Sequence, residues 1–226
     1  MKEWKDANIT PPETNRRELE ALLEQYATVL EFPAKKVFHE PGDVLDGVYY
    51  IAEGRTRHYI IGVDGSEKVL YTLSPGWFYG ETPCDLDEPT GLYSKTEVKS
   101  RLLHIPIDRY EELINSNELF RKTILHSYAK KLRILRQEIE NLVFSSCKER
   151  IKRLYCTTAD TSCTIDGQWY GMKVNYTQYE ISTIVSGARV TVSKLINELC
   201  AEGFLRVVNR HPQISVRAYE EERAKM

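Results

Sequence analysis

A short segment near the carboxyl end of the 226-residue chain carries side chains suited to contact with nucleic acid. It has the sequence TQYEISTIVSGARVTVSKLINEL over residues 177–199, with apolar residues at helical spacing on both sides of SGA. The residues left outward at the start of the second helix are Arg189, Val190, Thr191, Ser193 and Lys194. Long cations reach base acceptors or phosphates, hydroxyls reach phosphate oxygens, and a valine offers methyl groups to thymine. The segment therefore predicts a helix-turn-helix whose second helix contacts DNA.

Both predicted helices have start signals. Thr177 is placed to cap the first helix, and Glu180 three residues later completes a capping box. The second helix is expected to begin near Ala188. Helical pairs of this kind also occur as ordinary packing motifs, so the outward cations carry the prediction. Thr177 and Gln178, at the start of the first helix, are predicted to contact DNA as well.

The residues after the helical pair predict a two-stranded wing, with FLRVV and ISV on either side of the turn NRHPQ. Arg206, Arg210 and His211 lie on or beside this wing and could approach the backbone of a duplex. Each could instead be a solvated surface residue, and for His211 that is the favoured interpretation.

The N-terminal part of the chain, which precedes this region, is predicted to consist of β structure. From about Glu31 to Pro106, short β-like runs alternate with turn signals, which is typical of a sandwich or barrel. Asp64-Gly65 lies between IIGV and EKVLYTL, and Asp-Gly between alternating runs is a strong hairpin signal.

A long helix is predicted next, because residues 117–143 contain no proline or glycine. Six residues recur there at spacings of 3, 4, 3, 4 and 3, which is a heptad pattern. These residues, here called the a/d stripe, are Leu125, Tyr128, Leu132, Leu135, Ile139 and Leu142. A narrow heptad stripe indicates pairing with a second helix, so we expect a homodimer interface. The alternative is that the stripe packs on the chain's own barrel, as Tyr128 and the adjacent Ile134 could do.

Ser146 and Glu149 have the spacing of a second capping box, so residues 143–146 are the expected hinge between the long helix and the next one. That next helix is predicted to run to about Thr158 and to be followed by a hairpin around Asp166-Gly167.

Charge and cysteine content narrow the functional classes. From Cys147 onward, 12 Lys and Arg face 9 Asp and Glu, whereas the whole chain has a net charge of −2, so the basic excess lies in the C-terminal third. The five cysteines form no C-x-x-C pair, which favours a reducing compartment, buried thiols and no metal or iron–sulfur site. No apolar run predicts a signal or a membrane span, so we expect a cytoplasmic protein without a membrane partner.

These elements, in this order, resemble the CRP/FNR family of bacterial transcription regulators over roughly residues 20–218. The resemblance is carried by PGD at 41–43, YYIAEGRTRHYIIGVDGSEKVLYTLSPGWFYGE at 49–81, ENLVFSSCKERI at 140–151 and the helical pair at 177–199. It implies an α+β fold in three parts. These are a jelly-roll β-barrel that binds an effector (1–116), a central dimerisation helix with its hinge (117–145) and a winged helix-turn-helix that binds DNA (146–226).

The resemblance also assigns roles on the second helix. Arg189, Val190, Ser193 and Lys194 take the base-contacting positions, and Thr191 takes a phosphate-contacting one. Many relatives have Glu where this chain has Val190 and Arg where it has Lys194, so we expect an A/T-rich palindromic promoter site. The turn also departs from the family, with Ser186 where glycine is usual.

The predicted effector-binding barrel differs from the family pattern more than the helix-turn-helix does. The Gly80-Glu81 pair of the family's cyclic nucleotide cradle is present, but the Arg-Ser equivalent falls at Thr90-Gly91, and the helix offers Leu135 and Arg136. A phosphodiester would lose its bidentate cation, so cyclic AMP is not the expected effector. The predicted effector-binding residues are Trp77, Tyr79, Gly80, Glu81, Thr90, Leu92, Tyr93, Lys95, Ile134, Leu135 and Arg136. Their mixture of rings and cations suits a small aromatic or carboxylate anion.

The stretches VTVS and LYSKTEV also resemble the branch that senses halogenated phenols in anaerobes. The alternative function is a cyclic-nucleotide-type regulatory subunit that acts through protein contacts. No paired carboxylates, triad or Walker loop indicates an enzyme, and no metal or cofactor is expected. The expected partners are double-stranded DNA, a small effector and a second copy of the chain, and RNA polymerase is a further candidate.

Overall fold

The computed structural model describes residues 16–225, which separate at residue 136 into two compact units. The first unit is a jelly-roll-like pair of four-stranded antiparallel sheets, ordered β1-β8-β3-β6 and β2-β7-β4-β5. Its strands are β1 (Thr28–Phe32), β2 (Val37–His39), β3 (Gly47–Glu53), β4 (Thr56–Ile61), β5 (Glu67–Leu73), β6 (Phe78–Tyr79), β7 (Tyr93–Thr96) and β8 (Ser100–Pro106). Its helices are α1 (Arg16–Leu23), α2 (Glu81–Leu86), α3 (Ile107–Ser116) and the first part of α4 (Glu118–Phe144).

The predicted hairpin at Asp64-Gly65 is confirmed, since β4 pairs antiparallel with β5. Asp64 Oδ1 accepts hydrogen bonds from the amide and the hydroxyl of Ser66, and Gly65 has a φ of 78° that glycine adopts without strain. The turn is therefore stabilised by its own side chains.

The first unit is held together by buried aromatic and aliphatic side chains between and beside the sheets. Phe78 of β6 meets Phe120 of α4 edge to face, with ring centroids 5.5 Å apart and both side chains fully buried. The start of α4 is thus part of the core of this unit.

The second unit contains the end of α4 and a small four-stranded sheet ordered β11-β12-β10-β9. Its further helices are α5 (Cys147–Thr158), α6 (Gln178–Val185), α7 (Arg189–Ala201) and α8 (Val216–Arg223). Its strands are β9 (Ala159–Ile165), β10 (Trp169–Met172), β11 (Leu205–Val208) and β12 (His211–Ser215). The predicted helix-turn-helix, the hairpin at 166–167 and the wing are all confirmed.

Both predicted capping boxes are present. The Ser146 hydroxyl accepts the amide of Glu149 at 3.2 Å, and the Thr177 hydroxyl accepts the amide of Glu180 at the same distance. In each box the glutamate carboxylate in turn accepts the amide of the capping residue. These contacts end α4 near Phe144 and place the start of α6 at Gln178. Among residues 16–225, no helix combines the length and apolar character that a membrane span requires.

Candidate functional site

Helix α7, which is predicted to contact DNA and is here called the recognition helix, buries one face and exposes the other. Val192, Ile196 and Leu199 enter the core of the second unit. The residues predicted to contact DNA lie on the opposite side, where Arg189, Thr191 and Lys194 are exposed and Ser193 is half-buried. Val190 is 82% exposed, although burial of a valine side chain is favourable. The helix thus presents the predicted mixture of cations, a hydroxyl and an apolar side chain to solvent.

The turn between α6 and α7 explains the family departure at Ser186. Ser186 adopts the left-handed conformation (φ 53°, ψ 55°), and its amide donates to Ser182 at the end of α6. The glycine one position later is required by close packing, because a Cβ on Gly187 would lie 2.7 Å from Cys147 Sγ. The turn therefore stays tight, although here Ser186 adopts the left-handed conformation and the glycine follows at position 187.

The cations of the second unit fall into two groups. Lys148 bridges to Glu198 and Glu202, and Arg217 bridges to Glu221. In contrast, the side chains of Arg189, Lys194, Arg210 and Lys173 are exposed, and none makes a hydrogen bond or ion pair within the described residues. Two of these cations lie on α7, one lies at the tip of the wing, and Lys173 follows β10. Unpaired, exposed cations are available to phosphates and base edges.

The wing residues have different environments. Arg206 is committed within the unit, since it stacks on Trp169 at 4.6 Å and bonds to Asp166 and Gln213. Its predicted approach to a duplex is thus opposed by three intramolecular contacts. His211 is exposed and hydrogen-bonds to Asn175 at 3.0 Å, which ties the start of β12 to the loop before α6.

At the start of α6, Thr177 and Gln178 are exposed, as a DNA contact requires. The Thr177 hydroxyl already donates to Glu180 Oε2 at 2.9 Å and accepts the Glu180 amide. A phosphate oxygen would have to compete with that carboxylate for the hydroxyl proton, whereas the Gln178 side chain has no such competitor among the described contacts.

In the first unit, here also called the sensor unit, the structure places four of the predicted effector-binding residues in one cluster. Trp77 and Tyr79 are buried in one apolar cluster, and Leu92 and Ile134 pack against it. Gly80 has a φ of 93°, and a Cβ there would lie 3.2 Å from the Gly47 carbonyl oxygen. These residues form the interior wall between β6, the segment before β7 and α4.

Glu81, the acidic residue of the cradle, is fully buried and engaged by α4. Lys131 Nζ lies 2.5 Å from Glu81 Oε1 and 2.9 Å from the carbonyl oxygen of Phe78, and the Ser127 hydroxyl donates to the same Oε1 at 2.9 Å. Lys131 is only 7% exposed. The sequence interpretation placed Lys131 off the a/d stripe and missed this ion pair. A second helical face in the sequence indicates that Lys131 points to the barrel. The residues of this face recur at spacings of 4, 3, 4 and 3 and are Phe120, Ile124, Ser127, Lys131 and Ile134.

Thr90 lies beside the apolar cluster that contains Trp77, since its buried hydroxyl is 3.4 Å from the Tyr79 hydroxyl and accepts the Leu92 amide. Strand alternation puts Tyr93 and Lys95 on the opposite face of β7 from the buried Ser94 and Thr96, which argues against a shared lining with Trp77.

On α4, Leu135 is half-buried and Arg136 is exposed. The remaining residues of the a/d stripe differ in their environment. Leu125, Leu132 and Ile139 are 60%, 67% and 62% exposed, and Leu142 is also exposed. Tyr128 instead packs on the core of its own unit and donates to Asp85 Oδ2 at 2.6 Å. A line of exposed aliphatic side chains therefore runs along α4 on a face other than the one that packs on the barrel.

Comparisons with known proteins agree with this architecture. The cyclic nucleotide-binding domain family model matches residues 29–117. The cAMP-activated global transcriptional regulator CRP of Haemophilus influenzae is 23% identical over 198 residues, which span 86% of this chain and 88% of that regulator. These comparisons support the resemblance of the chain to the CRP/FNR family.

Two solved structures show the same fold. The c-di-GMP responsive global regulator CLP of Xanthomonas campestris has a TM-score of 0.76 at 20% identity, covering 88% of this chain and 99% of that chain. CprK in complex with OCPA has a TM-score of 0.70 at 22% identity, covering 92% and 93%. The curated relatives are transcription regulators rather than enzymes.

The first unit also contains one imidazole and one thiol whose environments bear on sensing. His58 is fully buried, with Thr56 Oγ1 and Ser94 Oγ 2.9 and 3.0 Å from its ring nitrogens. Burial, together with the charge of Lys131, holds the pKa of His58 well below 6.5, so the ring is neutral. It stacks on Tyr79 as part of the domain interior.

Cys84 is half-buried, and its sulfur lies 3.4 Å from the carbonyl oxygen of Gly47. Burial, together with nearby Asp85 and Glu81, raises the pKa of Cys84 to about 11, so little reactive thiolate exists at neutral pH. Within the described residues, no group of three or more His, Cys, Asp or Glu side chains is arranged to hold a metal ion.

Proposed function

We propose that this chain is a CRP/FNR-type regulator that acts as a homodimer, binds a palindromic promoter site and responds to an effector other than cyclic AMP. The observation that carries the proposal is the exposed, unpaired state of Arg189 and Lys194 on α7, beside an apolar side chain, Val190, that points to solvent. Elsewhere in the same unit, cations such as Lys148 and Arg217 are neutralised by carboxylates. A surface that keeps its charges unpaired is suited to a polyanion.

The exposed part of the a/d stripe supports dimerisation. Leu125, Leu132, Ile139 and Leu142 would be buried against the same residues of a second copy about a two-fold axis. Such symmetry presents two recognition helices to two half-sites, which must lie about 34 Å apart to enter successive major grooves. We accordingly assign residues 1–116 to effector binding, 117–145 to dimerisation and 146–226 to DNA binding.

The half-site is proposed to be A/T-rich. Val190 cannot accept a hydrogen bond from a cytosine amino group but can contact the methyl group of thymine. Lys194 lacks the planar fork with which arginine reads guanine O6 and N7. Selection of bound duplexes from a random pool should therefore return A·T pairs opposite Val190, and a G·C-rich half-site would overturn this assignment. Val190→Glu should shift the preference at that pair towards C·G.

The DNA-binding proposal is tested by Arg189→Ala in a gel-shift with the selected duplex. Specific binding should be lost while sedimentation still shows a dimer, because Arg189 is an exposed residue of α7 and does not belong to the a/d stripe. Arg217→Ala removes one exposed cation from α8 and is the charge-matched control. Site-specific binding retained by Arg189→Ala would refute the proposal. An absence of any DNA affinity in the natural chain would favour the regulatory-subunit alternative.

The effector proposed is a small aromatic or carboxylate anion. Three features oppose cyclic AMP: the cradle acid Glu81 is bonded to Lys131 and Ser127, the Thr90 hydroxyl is used within the domain, and α4 offers Leu135 where hydroxyls are needed. Aromatic side chains such as Trp77 and Tyr79 supply the apolar wall.

Calorimetric titration with cyclic AMP should show no binding, and mass spectrometry of the natively purified dimer should detect the bound anion. Tight cyclic AMP binding would refute this part of the proposal. The site of action that follows is the cytoplasm, with double-stranded promoter DNA and RNA polymerase as partners.

A further inference from the structure

Two arginines on α5 connect the end of α4 with the end of α6. Arg150 Nε donates to the Val185 carbonyl oxygen at 2.7 Å, and its Nη1 donates to the Ser145 carbonyl oxygen at 2.5 Å. Its Nη2 lies 3.4 Å from the carbonyl oxygen of Ser186. A cation is favourable at these two sites, because the last carbonyl groups of a helix lack intrahelical partners and carry the negative end of the helix dipole.

Arg153, one turn further along α5, holds α4 itself. Its Nη1 donates to Asn141 Oδ1 and to the Ser145 hydroxyl, the latter at 2.9 Å. Asn141 is only 5% exposed, and its Nδ2 is buried without a hydrogen-bond partner. A buried, unsatisfied donor is costly, so the Arg153 contact is what keeps the Asn141 side chain in this position.

We propose that Arg150 and Arg153 form a clamp that sets the orientation of the recognition helix, and that specific DNA binding depends on this clamp without direct DNA contact by either arginine. The clamp spans residues 143–146, the segment predicted as the hinge. It joins the last turns of α4, which carry Leu142 of the a/d stripe, to Val185 and Ser186, from which the turn leads directly into α7.

The consequence concerns geometry between two copies and therefore rests on the proposed function. In a dimer, the stripe fixes α4 of each chain on the two-fold axis, and the clamp then fixes the position of α7 relative to α4. A palindrome accepts both recognition helices only at one separation. Unrelated DNA makes no such demand, because it is bound through phosphates in any register. Loss of the clamp should therefore affect specific binding selectively.

The test uses Arg153→Ala, Asn141→Ala and their double variant in the full chain. We expect each single variant to bind the selected palindrome about tenfold more weakly, and the double variant to be no weaker than either, since both remove one contact. Asn141→Asp keeps the acceptor for Arg153 and replaces the unpaired donor, so its affinity should match that of the natural chain. Arg217→Ala controls for the loss of one positive charge.

Two further readouts separate the clamp from other roles of Arg153. Affinity for an unrelated duplex should be unchanged, and so should the salt dependence of palindrome binding. If Arg153 contacted a phosphate, the slope of log affinity against log salt would fall by about one and both duplexes would be affected. That result, additive losses in the double variant, or unchanged palindrome affinity in Arg153→Ala would each overturn the proposal.

Thermal unfolding and sedimentation are measured for every variant, and Ser145→Ala, which removes one hydroxyl, provides a milder version should Arg153→Ala unfold. Ser145→Ala should weaken palindrome binding selectively, and an unchanged affinity in a folded dimer would count against the clamp. The proposed function fails on a different result, namely retained specific binding in Arg189→Ala.

Discussion

Gly187 lies directly against Cys147, because the turn into the recognition helix packs on the first residue of α5. A methyl group on Gly187 would come within 2.7 Å of the Cys147 sulfur and 3.2 Å of a Val192 methyl group. The Cys147 side chain therefore limits position 187 of the turn to glycine.

The first prediction follows from this contact. Gly187→Ala should lower the free energy of unfolding of the DNA-binding unit by about 1–3 kcal/mol, the usual cost of overpacking. Cys147→Ala removes the sulfur, so Gly187→Ala should cost distinctly less in that background. Calorimetry of the four chains measures the difference. Gly91→Ala is the control, since a Cβ at Gly91 meets no atom within 4 Å. Equal losses in both backgrounds would contradict the proposed steric cause.

The second prediction concerns the buried ion pair of the sensor domain. Glu81→Gln should destabilise the chain by about 3–5 kcal/mol, because it leaves the Lys131 ammonium buried without its counter-charge. The double variant Glu81→Gln, Lys131→Met removes both charges and should be much less destabilised than the sum of the single variants. Denaturant unfolding of all four chains gives the coupling energy. Additive losses would show that the pair contributes nothing beyond its separate side chains.

The third prediction is a pH dependence of stability due to His58. Burial lowers its pKa well below 6.5, so the folded chain cannot readily bind the proton that the unfolded chain binds as pH falls through that value. Protons therefore favour the unfolded state, and the free energy of unfolding should decrease below about pH 6.5 by up to about 1.4 kcal/mol per pH unit for this one group.

His58→Gln should flatten this slope, whatever its effect on stability at pH 7.5. Urea unfolding between pH 5 and 7.5 gives the slope. The pKa of His39 is also lowered, mainly by burial, so His39→Gln should remove a further part. His126→Gln, which removes an exposed histidine, is the control. An unchanged slope in His58→Gln would contradict the assignment.

The fourth prediction tests the stripe on α4. Leu132→Lys and Ile139→Lys should convert the dimer into a monomer of 26.2 kDa, since each places a charge in the proposed interface. Analytical ultracentrifugation measures the mass. Leu86→Lys substitutes a leucine of similar exposure outside the stripe and should leave the dimer intact. Dimers of unchanged affinity in both stripe variants would move the interface elsewhere.

Much of the second unit could be predicted from local patterns, because its determinants lie a few residues apart. Ser146 with Glu149 and Thr177 with Glu180 define helix starts within one turn, and Asp166-Gly167 defines a hairpin by backbone preference alone. The outward position of Arg189 and Val190 follows from the 3.6-residue period once Val192 and Ile196 are inside.

For the a/d stripe, local patterns alone do not predict which residues face the barrel. Its heptad spacing correctly identified the exposed aliphatic line that includes Leu132 and Ile139, but it also included Tyr128, which packs on the barrel. One helix carries two faces with nearly the same period. Which residue joins which face depends on the position of the barrel, and that is set by residues far away in the chain.

By itself, the sequence determined the order of the elements, their caps and turns, and the exposed cations of the recognition helix, since each depends on neighbouring residues. Only the tertiary structure decided which charged side chains find partners. Lys131 pairs with Glu81 across 50 residues, Arg206 pairs with Asp166 across 40, and Arg150 donates to the Val185 carbonyl oxygen across 35, whereas Arg189 stays unpaired. The reason is that pairing is a matter of distance in space, which a folded chain sets through its whole core and no local pattern encodes.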